Sequence, residues 1–319
     1  MSNGASRIPA RQVIVAVNPH SAFGKNPHAG SDTVRALTVA GHEVIELRRE
    51  SFAQLRDAAR EAMAEALAQV KSAPGASRAH QPVLVVVGGD GMVSLGVNLV
   101  AESSVALGVV PAGTGNDLAR AIGLPVDDLG ASIRHLVSAL GNEPTAIDLA
   151  RITHAGGVAH YAAVLSGGFD AIVNERANRM RRPRGKSRYT IALLLELARL
   201  RPRHYSLELD GEKFEVDANL VAVANGESLG GGMRICPDAS LTDGQLDIAW
   251  LAPVTRRRFL QLFPKVFSGT HVDEPEVTIR RARHVRLDSP DIVAYADGER
   301  VGPLPVDIDV VPKAVRVYF

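Results

Sequence analysis

Two short runs hold the residue types that phosphate chemistry needs. Residues 88–91 read Gly-Gly-Asp-Gly, and residues 111–117 read Pro-Ala-Gly-Thr-Gly-Asn-Asp. Gly88, Gly89, Gly91 and Gly113 leave the main chain open to close approach by a ligand. Main-chain N–H groups just before a helix can cradle phosphate oxygens. Thr114 adds a hydroxyl donor, and Asn116 or Asp117 is placed to cap the helix that follows. Asp90 and Asp117 supply the hard oxygen ligands that a divalent cation takes. One glycine-rich turn alone is ordinary strand-to-helix chemistry. Two of them, each directly after a strand, point to phosphate binding.

The elements that must position these turns are legible in the apolar pattern. Residues 13–17, 83–87 and 106–110 are unbroken apolar runs, as expected of strands buried on both faces of a parallel sheet. Periodic stretches at 31–40, 51–70 and 131–140 read as helices between and after them. Strands alternating with helices predict a doubly wound parallel α/β domain over 11–143. From 144 to 319 the pattern changes to short strands separated by turn residues, at 146–152, 158–164, 205–209, 215–224, 246–251, 276–280, 284–288, 292–296, 306–310 and 314–318. That predicts an all-β domain built as a β-sandwich, interrupted by helices at 190–200 and 255–267. The fold class expected is therefore α/β followed by all-β.

Composition bounds the remaining choices. A chain of 319 residues with 46% hydrophobic and 22% charged residues can build two cores. No apolar run reaches a membrane-spanning length, and residues 1–11 do not read as a signal peptide. The single cysteine, Cys236, excludes an internal disulfide, fits a cytoplasmic setting and reads as a buried small side chain. Lys25 could neutralise a phosphate. Asp148 is a third carboxylate, just inside a strand. In the turn 237–247, Asp238, Asp243 and the Leu241 carbonyl could wrap a cation. Asp297-Gly298 reads on its own as a hairpin turn. The most basic stretch, 176–188, is reinforced by Arg199, Arg201 and Arg203, with a second cluster at 256–258. It lacks the interleaved aromatics of a nucleic-acid surface and suits an anionic membrane better. Within it, Lys186 is the substrate-facing candidate.

Together, the 88–91 and 111–117 runs, the Ala-Arg that follows and the Gly123-Leu-Pro125 turn resemble the diacylglycerol kinase family, with its bacterial lipid kinases and sphingosine and ceramide kinase relatives. The resemblance covers nearly all of 13–319. It implies an ATP-dependent lipid kinase with Mg2+ that phosphorylates a hydroxyl of diacylglycerol or a similar lipid. It implies that Asn18, Pro19, His20, Ser21, Asn116 and Arg120 lie near the nucleotide's phosphates, and that Asp90, Asp117 and Asp148 form a water-linked network around catalytic magnesium. It implies structural magnesium at Asp238, Leu241 and Asp243, Asp297 as the base and Glu299 as its support. A lipid substrate, peripheral membrane contact from the cytoplasm and no nucleic acid follow, with a homodimer left open. Met92 and Ser94-Leu95 depart from the family's Thr and Asn-Glu, which bears on nucleotide preference. A soluble-substrate kinase of the NAD kinase type, or a non-catalytic lipid- or nucleotide-binding relative, are the alternatives.

Overall fold

The computed structural model describes residues 11–18, 26–72, 81–180 and 186–319. It divides into two compact units, one of residues 1–147 with 313–319 and the other of 148–312. The sequence pattern takes the second domain to the C-terminus, whereas here the last seven residues return to the first unit.

The first unit alternates β1 (Gln12–Val17), α1 (Ala29–Val39), β2 (Glu43–Leu47), α2 (Phe52–Ser72), β3 (Val83–Gly88), α3 (Asp90–Val100), β4 (Ala106–Pro111), α4 (Asp117–Ala121) and α5 (Leu129–Ala139). The strands run parallel in the order β2-β1-β3-β4, and the tip of the last strand adds in parallel at Leu107 and Gly108. β1, β3 and β4 are apolar because helices cover both faces, and Val13, Val15, Val85 and Val110 form the core with Leu37, Ile133 and Leu136. Parallel order places the C-terminal ends of β1, β3 and β4 side by side, so the segments following them meet at one edge.

Strand β5 (Thr145–His154) leads into the second unit and pairs with β6 (Gly157–Tyr161). There follow β7 (Val164–Ser166), α6 (Phe169–Arg179), α7 (Lys186–Leu197), β8 (Arg203–Leu209), β9 (Glu212–Ala218), β10 (Leu220–Ala224), β11 (Leu246–Leu251) and α8 (Arg256–Ser268). A 3-10 turn (Thr270–Asp273) precedes β12 (Val277–Ala282), β13 (His284–Asp288), β14 (Val293–Ala296), β15 (Glu299–Pro303) and β16 (Val306–Tyr318). One antiparallel sheet has the order β12-β11-β10-β7-β14-β15, and β16-β13-β8-β9 belong to the other. Leu165, Val221, Val223 and Ile248 from the first pack on Leu207, Val285 and Ile308 from the second. Two antiparallel sheets around one core make the expected sandwich.

Three details differ from the pattern read in the sequence. Residues 169–179 form a helix that short-strand spacing concealed. Residues 306–310 and 314–318 are one continuous strand. The run 215–224 is two strands in different sheets. Asn219 makes the break: its Oδ1 accepts from the Val254 N–H at 2.8 Å, its N–H donates to the Leu251 carbonyl, and its own carbonyl accepts from the Phe169 N–H. A side chain that takes main-chain partners competes with the sheet ladder.

Candidate functional site

In the first unit the two glycine turns pack directly on one another. A Cβ on Gly113 would lie 2.3 Å from the Gly89 Cα, and one on Gly115 would lie 2.2 Å from Asp90 Oδ2. Both positions are therefore closed to any side chain. Asp90, in the first turn of α3, closes the pair. Its Oδ2 accepts the Asn116 N–H at 3.0 Å, and its Oδ1 accepts the Asp117 N–H at 2.8 Å. Asn116 takes the left-handed conformation (φ 58°), which asparagine tolerates better than most residues. Its amide exchanges hydrogen bonds with the Gly113 N–H (3.2 Å) and carbonyl (3.1 Å), so the turn is closed from within. Arg120 Nε donates to the Gly115 carbonyl at 3.0 Å. Thr114 is exposed. The Asn18 N–H donates to the Val87 carbonyl, next to Gly88.

Met92 is 1% exposed, and a Cβ on Gly88 would meet its Cγ at 2.5 Å. The methionine thus packs beneath the turn as core. Pro19, His20, Ser21 and Lys25 lie outside the described residues, as does the side chain of Lys186.

In the second unit, Asp297 sits in the β14–β15 hairpin (φ 47°, followed by Gly298 at 81°), the turn expected of Asp-Gly. Its carboxylate has a further task. Oδ2 accepts the Ala162 N–H at 2.8 Å, and Oδ1 accepts those of Ala163 (3.0 Å) and Val164 (3.1 Å). Glu299 begins β15 opposite Ala296 and is exposed. Asp148 is 2% exposed; its Oδ2 accepts the Gly244 N–H at 2.7 Å, and its own N–H donates to the Leu241 carbonyl at 2.6 Å. Asp148 therefore holds the very turn that carries Asp243, a link that spacing could not reveal.

Beside that turn, Asp247 is buried, with Oδ1 on Arg281 Nε at 3.0 Å and Oδ2 without a partner. Burial raises its pKa against the pull of Arg281, and the charges of Asp243 and Asp238 raise it further. Among the described residues no three His, Cys, Asp or Glu side chains stand close enough to hold a metal ion by themselves. The excess negative charge at this turn nevertheless suits a hard cation that completes its shell with carbonyls and water.

Sequence reasoning missed an apolar pocket beneath α6, α7 and α8, lined by Phe169, Leu193, Trp250, Phe259, Phe263 and Val277. Phe169 and Asp170 of the unpredicted helix α6 and Leu220, just after the break at Asn219, are part of its wall. Cys236 is buried, and burial pushes its thiol pKa up, so it is inert packing as expected. The cluster at 256–258 is not one charged face. Arg258 turns inward to Glu274 and Glu276, and Arg256 and Arg257 stay exposed. Arg176 pairs with Glu196, and Arg179 with Glu175.

Residues 12–152 match the diacylglycerol kinase catalytic domain family, and residues 163–319 match the YegS C-terminal NAD kinase beta sandwich-like domain. The chain is 40% identical over 308 residues to a diacylglycerol kinase of Mycobacterium tuberculosis, covering 96% of this chain and 94% of that one. It is 27% identical over 228 residues to a diacylglycerol kinase of Bacillus subtilis, covering 70% and 73%. A crystal structure of a diacylglycerol kinase from Bacillus anthracis superposes with a TM-score of 0.65 at 17% identity, covering 97% and 96%, and so shares the fold.

Proposed function

The chain belongs to the diacylglycerol kinase family, and from that premise we propose that it moves the γ-phosphoryl group of ATP to a hydroxyl of diacylglycerol or a similar lipid. The observation that carries the reading is the pair of glycine turns held together by Asp90. Such a pair fixes several main-chain donors before any ligand arrives, and phosphoryl transfer depends mostly on positioning and charge stabilisation. Asn18, Gly88, Gly89, Gly91, Gly113, Thr114 and Arg120 bind the phosphates in this proposal.

Asp297 serves as the base. The lipid oxygen attacks the γ-phosphorus, its proton passes to the Asp297 carboxylate, and the bond to the ADP oxygen breaks. Two carboxylate oxygens offer about four acceptor sites, and three main-chain N–H groups fix the orientation of this one. Glu299, two residues on, supports it. Magnesium, when bound, neutralises charge on the phosphates; Asp90, Asp117 and Asp148 are assigned to it through water. Asp238, Asp243 and the Leu241 carbonyl are assigned to a structural ion, for which the unpartnered Asp247 Oδ2 is the support. The apolar pocket receives the lipid chain. Exposed Arg199, Arg201, Arg256 and Arg257, with Leu194, Leu195, Leu260 and Phe267, meet an anionic membrane surface.

The test is incubation of the purified chain with labelled ATP, magnesium and a panel of lipids. Label should enter a glycerolipid. Asp297→Asn keeps one acceptor and should lower kcat by roughly 100-fold or more, the scale of a lost general base, while its NH2, set against one or more of the three N–H groups, costs about 1–3 kcal/mol of stability. Asp297→Ala is a poorer probe, because it strips three buried N–H groups of their acceptor. Full activity of Asp297→Asn would remove the base assignment. Label entering NAD and no lipid would move the chain to the soluble-substrate class.

A further inference from the structure

One polar side chain stands out in the wall of the apolar pocket. Asp170, in the first turn of α6, is 9% exposed, and neither carboxyl oxygen makes a well-formed hydrogen bond, although Ser166 and the first N–H groups of α6 lie close by. Around it are further buried groups without partners: Ser166 Oγ, Tyr205 OH and Asn219 Nδ2. Ser166 lies close enough to influence the carboxyl, and Tyr205 feels the charges of both Asp170 and Arg203. The orientation of the Asn219 amide is set by the Val254 N–H on its Oδ1, so Nδ2 is its remaining donor. Of these, Asp170 is the one that lines the apolar pocket, and a buried carboxyl in such a wall calls for a partner.

The chemistry of the cluster specifies its complement. Burial pushes Asp170 toward its protonated form, against the smaller pull of Ser166 and the first N–H groups of α6. In its protonated form the carboxyl is a donor toward the pocket, while the Ser166 and Tyr205 hydroxyls can both donate and accept. The other titratable side chain of the described wall, His271, is kept neutral by burial and gives Nε2 to the Ile235 carbonyl, so its Nδ1 can only accept. An uncharged acceptor is therefore wanted at Asp170 and nowhere else along the wall. In a molecule whose chain fills an apolar pocket, that acceptor is the carbonyl where chain meets head.

Resting on the lipid-kinase reading above, we propose that Asp170 is a specificity-determining residue that donates to the ester carbonyl of the acyl chain in this pocket. It selects ester-linked over ether-linked lipids and takes no part in the chemical step.

The experiment compares a diacylglycerol with the dialkylglycerol of equal chain length, for the full chain and for Asp170→Leu and Asp170→Asn. The wild type should show a KM for the ester lower by about tenfold, the worth of one hydrogen bond, at similar kcat. Asp170→Leu should raise the ester KM to the ether value and leave the ether KM unchanged. Asp170→Asn keeps a donor and should recover most of the preference. Equal KM values in the wild type, or equal rises for both lipids in Asp170→Leu, would overturn the proposal. Trp250, the single tryptophan, lines the pocket and reports binding without nucleotide. If neither lipid is phosphorylated, the kinase reading falls, and the ester preference is then read from Trp250 fluorescence. Binding of neither lipid, or of both alike, would end this proposal also.

Discussion

At the residue scale, the carboxylates assigned to catalysis are also structural acceptors. Asp90 holds two main-chain N–H groups and Asp297 holds three. A carboxylate in such a setting has its position fixed before substrate arrives, which is what a reacting group needs. The same bonds make deletion ambiguous. Asp90→Asn is the informative change, because it puts an NH2 where one of two N–H donors must find an acceptor. We expect it to cost roughly 1–3 kcal/mol of stability, the penalty for a buried donor left unmatched. It should also abolish the rise in melting temperature expected of the wild type with Mg-ATP. Denaturant unfolding and thermal shift with and without nucleotide check both. Unchanged nucleotide stabilisation would mean that Asp90 does not shape the phosphate site. Asp90→Glu offers no rescue, since even a methyl on Gly115 has no room beside the carboxylate.

At the element scale, the glycine turns work as one interlocked unit. Gly113→Ala places a methyl 2.3 Å from the Gly89 Cα, which is backbone and cannot swing aside. We expect a loss of about 1–3 kcal/mol from overpacking and a larger fall in nucleotide affinity, measured by titration calorimetry. Gly123→Ala, at φ 72° with open space around it, should cost stability without touching affinity. Equal affinity in the two variants would show that the turns are not the cradle. These turns were readable from the chain because glycine after a buried strand is a local signal. Elements set by distant contacts were not. Helix α6 lies in a polar, weakly periodic stretch, yet Phe169 and Val173 anchor it on Phe259 and Leu262. The division of 215–224 rests on what Asn219 reaches 35 residues away. The link from Asp148 to Gly244, 96 positions apart, is equally invisible to spacing. Asp170 was passed over for the same reason: a buried carboxyl in an apolar wall has no signature in sequence.

At the scale of the whole molecule, a net charge of +1 gives little long-range attraction to a membrane, so any attachment must come from how charge and apolar surface are distributed. Among the described residues no helix is long and apolar enough to cross a bilayer. The second unit instead carries α7 and α8 with apolar side chains on both sides. Leu193, Phe259 and Phe263 face the pocket, and Leu194 (58%), Leu195 (41%), Leu260 (56%) and Phe267 (51%) are exposed. Arg199, Arg201, Arg256 and Arg257 are exposed beside them. Apolar groups give salt-insensitive binding, whereas cations near an anionic surface add on the order of 1 kcal/mol each and are screened by salt. The two contributions can therefore be separated. We expect the chain to sediment with vesicles containing phosphatidylglycerol, and to bind less tightly as salt is raised. Arg199→Glu with Arg201→Glu should remove most of the salt dependence. Leu194→Ser with Phe267→Ser should weaken binding at every salt concentration and leave that dependence intact. Equal binding to neutral phosphatidylcholine vesicles, or salt dependence unaffected by the arginine pair, would mean that the lipid reaches this pocket by another face.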